Sequence, residues 1–147
     1  AVPEMAGYTA QLDGAAGLAE FNLATGEIRR VVAVPSEGRA HGLGDLLVAP
    51  DGTVYATDAK APVIWKLAPD ATDFEKLAES PDFISLQGLV LWRNELIFAD
   101  YANGLFAVEI ASGRVRPFAP PANTMSQNRM SPHRLICVMI AAVRVPR

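Results

Sequence analysis

The 147-residue sequence has one cysteine, Cys137, and few aromatic residues, 7% of the total. A lone thiol excludes an internal disulfide and any cysteine-based zinc cluster. No apolar run reaches the roughly 18 residues needed to cross a bilayer; the longest stretch near the end, Leu135 to Val143, is too short. The first ten residues do not pair a basic segment with an apolar one, so no secretory signal is visible there and the compartment stays open. Phosphate-cradling glycine loops are absent, and Gly42-Leu43-Gly44 does not open a helix. The G-x-S-x-G turn of a serine hydrolase is missing too. A net charge of −3 gives no electrostatic reason to expect nucleic acid. What remains is half hydrophobic and 20% charged, the composition of a folded, soluble domain.

Acid is also missing from one region. All 16 acidic residues precede residue 110, the last being Glu109, whereas residues 123–147 hold four arginines and three of the four methionines. Such an abrupt shift marks a boundary. Residues 1–122 are read as one structural unit and 123–147 as an atypical tail, frame-shifted or disordered.

The unit repeats itself. Sliding the chain by 42 residues lays GDLLVAPDGTVYATD (44–58) over LQGLVLWRNELIFAD (86–100) without a gap. Leu47 falls on Leu89, Val54 on Leu96 and Asp58 on Asp100, and the register continues with Val63 on Leu105 and Ile64 on Phe106. At an offset of 87, GLAEFNLATGEI (17–28) echoes GLFAVEIASGRV (104–115). Each unit holds four short runs rich in β-branched, aromatic and aliphatic residues. Tight-turn text separates them: Pro50-Asp51-Gly52, Arg93-Asn94 and Ser112-Gly113. A helix over 74–79, FEKLAE, is possible locally, but the repeat register predicts a strand there.

Four-stranded units of about 42–45 residues, repeated, predict an all-β chain and a β-propeller fragment of antiparallel blades. A sandwich of about ten strands is the competing architecture, and it needs no fixed period. The blades fall as an outer half over 17–34, a whole blade over 44–80 and another over 86–120. Two and a half blades cannot close a ring of the usual four to eight. With the repeat pattern absent after Pro120-Pro121, the text predicts a truncated or frame-shifted reading of a longer propeller gene. A native ring-closing strand is the other reading of the tail.

The pattern G-L-x-x-[LV]-x-P-D-G-x-[VL]-Y-x-[TA]-D, seen from Gly42 to Asp58 and more loosely from Gln87 to Asp100, resembles the six-bladed propellers of the SMP-30/gluconolactonase and NHL-repeat superfamily. The resemblance covers about residues 17–120. It implies a central channel in which enzymatic members hold a divalent cation, calcium above all, on oxygens from several blades. Asp45 matches a metal-binding position, and Gln87, in LQGL, stands where many members carry Asn. His41, before the same inner strand, is the candidate general base. Together these imply a metal-dependent lactone or ester hydrolase in full-length form, with a small-molecule substrate such as a lactone. The alternative is a non-catalytic NHL-type scaffold that binds a protein or small ligand. Plainer roles stand beside these: Asp45 as a partner of the neighbouring glycine-rich turn, Gln87 as a structural residue, and His41 as a loop residue. Asp58 and Asp100 are read as turn-stabilising, and Trp65 and Trp92 as packing residues.

Overall fold

The computed structural model describes residues 14–118. They form ten strands and no helix: β1 (Gly17–Phe21), β2 (Ile28–Ala33), β3 (Leu43–Val48), β4 (Val54–Asp58), β5 (Val63–Leu67), β6 (Glu75–Glu79), β7 (Leu86–Trp92), β8 (Glu95–Asp100), β9 (Gly104–Glu109) and β10 (Val115–Pro117). All pairing is antiparallel between sequence neighbours. The result is a β1–β2 hairpin, a four-stranded meander β3–β6 (sheet I) and a second, β7–β10 (sheet II). Within the segment 74–79, Glu75–Glu79 is a strand as the repeat required, β6 pairing with β5. The expected tail, 123–147, lies outside the described residues.

Alternation along the strands builds three layers. Each residue sends its side chain to the face opposite its neighbour's, so sheet I, apolar at consecutive positions in Val63–Leu67, is suited to burial on both faces. Trp65, Val63, Leu67, Ala56 and Phe74 pack with Val32 and Val34 from the hairpin side. Tyr55, Ile64, Ala49 and Ala78 pack on Leu86, Leu96, Phe98, Phe106 and Val108 of the sheet II side. Phe83, Phe98 and Phe106 sit at centroid separations of 5.3–5.8 Å in that second core. Hydrophobic burial of this kind contributes about 1.5–3 kcal/mol per large side chain.

The ladders correct the gapless register. Leu43 and Leu86 both face the strand-ending aspartates, Asp58 and Asp100, while Trp65 pairs with Ala56 as Phe106 pairs with Phe98. The spacing between equivalent residues is therefore 43 along the first strands except at their bulge, where Asp45 and Gln87 stay 42 apart, and it is 42 in the second strands and 41 in the third. Leu47 answers to Val90, not Leu89, and Ile64 to Leu105, not Phe106. The cause is loop length, since each of the first two hairpin connections in sheet II is one residue shorter. A one-residue slip exchanges the two faces of a strand, so the gapless alignment puts the wrong side chains in the core.

The sheets approach most closely where β3 and β4 meet β7. There a Cβ on Gly44 would lie 2.7 Å from the Leu86 carbonyl oxygen, so the position has no room for a side chain.

Candidate functional site

Asp58 organises the polar cluster at the end of β4. Its Oδ1 accepts hydrogen bonds from the backbone N–H groups of Gly42, Lys60 and Ala61, each at 3.0 Å. Its Oδ2 accepts the indole Nε1–H of Trp65 at 3.2 Å and lies 2.7 Å from His41 Nδ1. Burial pushes the Asp58 carboxyl up, but the donors outweigh it and hold the group below its ordinary value of 3.8. His41 is 2% exposed, and its other nitrogen, Nε2, is 3.1 Å from the Ser36 carbonyl oxygen. The ring also meets Trp65 edge to face at 5.6 Å. Both ring nitrogens thus face protein oxygens. A general base needs a nitrogen within reach of a substrate proton, and the His41 expectation lacks that geometry.

Asp100 ends β8 in the equivalent place and does the same with backbone alone. Its Oδ2 accepts from Ile84 and Ser85, its Oδ1 from Ala102 and Asn103, at 2.7–3.0 Å. Burial raises this carboxyl as well, and the four N–H donors again bring it below 3.8. The turn-stabilising role read for both aspartates is what the hydrogen bonds display.

Asp45 and Gln87 do correspond, pairing with Thr57 and Ala99 respectively. Asp45 does not bond the adjacent glycine-rich turn. Its Oδ2 accepts the backbone N–H of Leu89 at 2.9 Å, which ties sheet I to sheet II across the closest approach of the two. Its own N–H donates to Thr57 Oγ1 at 3.0 Å, so a buried threonine braces the bulge. Gln87 is exposed, on the face of sheet II turned away from sheet I. A hard divalent cation takes six to eight oxygens. Among the described residues no group of three or more His, Cys, Asp or Glu is placed to hold a metal ion, and Asp45 already spends one carboxylate oxygen on a neighbouring sheet.

The sequence reading missed the Asp45–Leu89 tie and the His41–Asp58–Trp65 chain. The second had a signal: His41, Asp58 and Trp65 all flank one hairpin, and each is polar or part-polar beside apolar text. Trp65 packs as expected, but Trp92 is 57% exposed on the outer face of sheet II. No helix among the described residues is long and apolar enough to cross a membrane.

No protein-family model and no curated protein sequence matches the chain. Among solved structures, the chain is similar to the extracellular domain of a hybrid two-component system from B. thetaiotaomicron, with a TM-score of 0.53 and 16% identity. The match covers 69% of this chain and 13% of that one, so the chain spans a small part of its structural neighbour. At that identity the likeness concerns the fold alone.

Proposed function

We propose that the chain is part of a β-propeller and serves as a non-catalytic binding scaffold. The propeller reading is supported by the sequential four-stranded meanders, stacked face to face with their first strands in close approach. The scaffold reading rests on one observation above the rest: His41 and Asp45 are committed to holding layers together. His41 links the segment after the hairpin to Asp58, and Asp45 links the two sheets. The metal-dependent lactonase reading needs both residues to be available to a cation, a water or a substrate. Fold alone does not decide this.

Calorimetric titration of the whole chain with calcium, run beside a lactone-hydrolysis assay, tests the proposal. The scaffold reading expects no one-to-one calcium binding and no hydrolysis. As a positive arm, His41→Phe should lower the urea midpoint for unfolding. One-to-one calcium binding with hydrolysis that His41→Phe abolishes, at an unchanged midpoint, would establish the enzyme instead.

A further inference from the structure

A short strap, residues 36–41, carries the chain from β2 of the hairpin to β3 of sheet I. The Arg39 N–H donates to the Ser36 carbonyl oxygen at 2.9 Å, and φ is 47° at Glu37 and 73° at Gly38. Two left-handed residues in succession make a turn of the I′ kind. Glu37, unlike a glycine, keeps that conformation only where its surroundings hold it. On one side Glu37 and Arg39 join Lys76 and Glu79 of β6 in a closed cycle of four ion pairs at 2.8–2.9 Å. On the other side His41 bridges the Ser36 carbonyl oxygen and the Asp58 carboxylate. Both partners of the imidazole are acceptors. The Ser36 oxygen already takes the Arg39 N–H, and Asp58 Oδ2 already takes the Trp65 indole N–H.

A neutral imidazole has one N–H and one bare nitrogen. With the proton on Nδ1, Nε2 turns a lone pair on the Ser36 carbonyl at 3.1 Å; with the proton on Nε2, a lone pair meets the carboxylate at 2.7 Å. Only the imidazolium donates to both. We propose that residues 36–41 form a pH-sensitive latch, closed while His41 carries a proton on both ring nitrogens and loosened when one of them leaves. The charged groups around it are the four of the ion-pair cycle, Asp58, and Lys60, whose stem runs beside Gly42. Hydrogen bonds within the cycle hold both glutamates below their ordinary value and both cations above theirs, and Asp58 is held below its own. Among these residue types an imidazole alone changes charge between about pH 5 and 8. The inference stands on these contacts and does not depend on the scaffold reading.

Amide hydrogen exchange of the whole chain at about pH 5.5 and about pH 8, corrected for the intrinsic rate, tests it. The N–H groups of His41 and Gly42 donate to the Gly14 carbonyl and to Asp58. Their protection should fall about tenfold at the higher pH, as one hydrogen bond of the strap is lost. The N–H groups of Ser85 and Asn103, which donate to Asp100 at the equivalent corner of sheet II, should keep theirs. His41→Gln, neutral throughout, should abolish the difference at Gly42. Should that variant fail to fold, nitrogen-15 spectra of the wild-type imidazole decide the matter. Both ring nitrogens of His41 should be protonated at the lower pH, and loss of a ring proton should follow the same pH curve as loss of protection. A bare nitrogen on His41 at the lower pH would overturn the proposal. So would protection at Gly42 that changes no more than at Asn103, or a pH difference that survives in His41→Gln.

Discussion

Sheets I and II share one plan and differ at one corner. In both, an aspartate at the end of the second strand gathers the N–H groups that precede the first strand and follow the second. In sheet I two side chains join it, His41 and Trp65; in sheet II the same ladder positions hold Ile84 and Phe106, and the backbone N–H of Ile84 bonds the carboxylate directly. The middle strands of sheet I, β4 and β5, are covered on both faces, although Leu46 and Val48 of β3 are exposed, and the outer face of sheet II leaves Val90 and Trp92 exposed. The lesson is that a repeated carboxylate sets the turn, and the surrounding side chains decide how deeply the turn is locked. His41 is polar and buried because the hairpin layer closes over it, not because a substrate approaches.

Breaking the corner outright should give the largest contrast. Asp58→Ala leaves three backbone N–H groups, an indole N–H and a buried imidazole without their acceptor, a loss of about 3–5 kcal/mol. Asp100→Ala exposes the smaller dependence of sheet II, about 1–3 kcal/mol. Urea unfolding of both variants, compared through midpoint and slope, checks the order.

The layer contact offers a second contrast. Gly44→Ala drives a Cβ against the Leu86 carbonyl oxygen and should cost about 1–3 kcal/mol by forcing the sheets apart. Gly26→Ala, with a φ of 74° and nothing within 4 Å, carries backbone strain alone and should cost about 1 kcal/mol. Thermal melts of the two variants separate crowding from strain.

Asp45 and Gln87 sharpen the comparison at smaller cost. Asp45→Ala removes the bond to the Leu89 N–H and should lower stability by about 1 kcal/mol. Gln87→Ala, at an exposed position, should stay within about 0.5 kcal/mol of the parent. Equal losses in chemical unfolding would remove the distinction between a residue that joins two sheets and one on an open face.

Acid should report both corners together. Asp58 and Asp100 titrate below 3.8 in the folded chain, so each favours the folded state above that value. Their contribution is lost as pH falls through the depressed folded values. Fluorescence of Trp65, which donates to Asp58, should follow unfolding below about pH 4 in the wild type. In Asp100→Asn the pH dependence of stability over that range should be shallower.

Much of the fold was legible because hydrophobic alternation and turn chemistry act locally. Pro50-Asp51-Gly52 marked a real turn, in which Asp51 accepts the Thr53 N–H at 2.9 Å. Glu75–Glu79 formed a strand against its local helical preference because the Val63–Leu67 edge pairs with it. The gapless repeat failed where two loops differ by one residue each, a change that composition does not register but strand faces do. The candidate site was legible as a set of polar residues near first strands and illegible in purpose. Whether Asp45 reaches a cation or the Leu89 N–H depends on how close the next sheet lies, which no local pattern encodes.

The central claim is that His41 serves the fold through Asp58. A double-mutant cycle of His41→Ala, Asp58→Asn and the pair, measured by equilibrium urea unfolding of the whole chain, tests it most directly. The account predicts a coupling of about 1.5–3 kcal/mol, the range for a buried hydrogen bond to a charged group. Additive losses, with His41→Ala as stable as the parent, would contradict it.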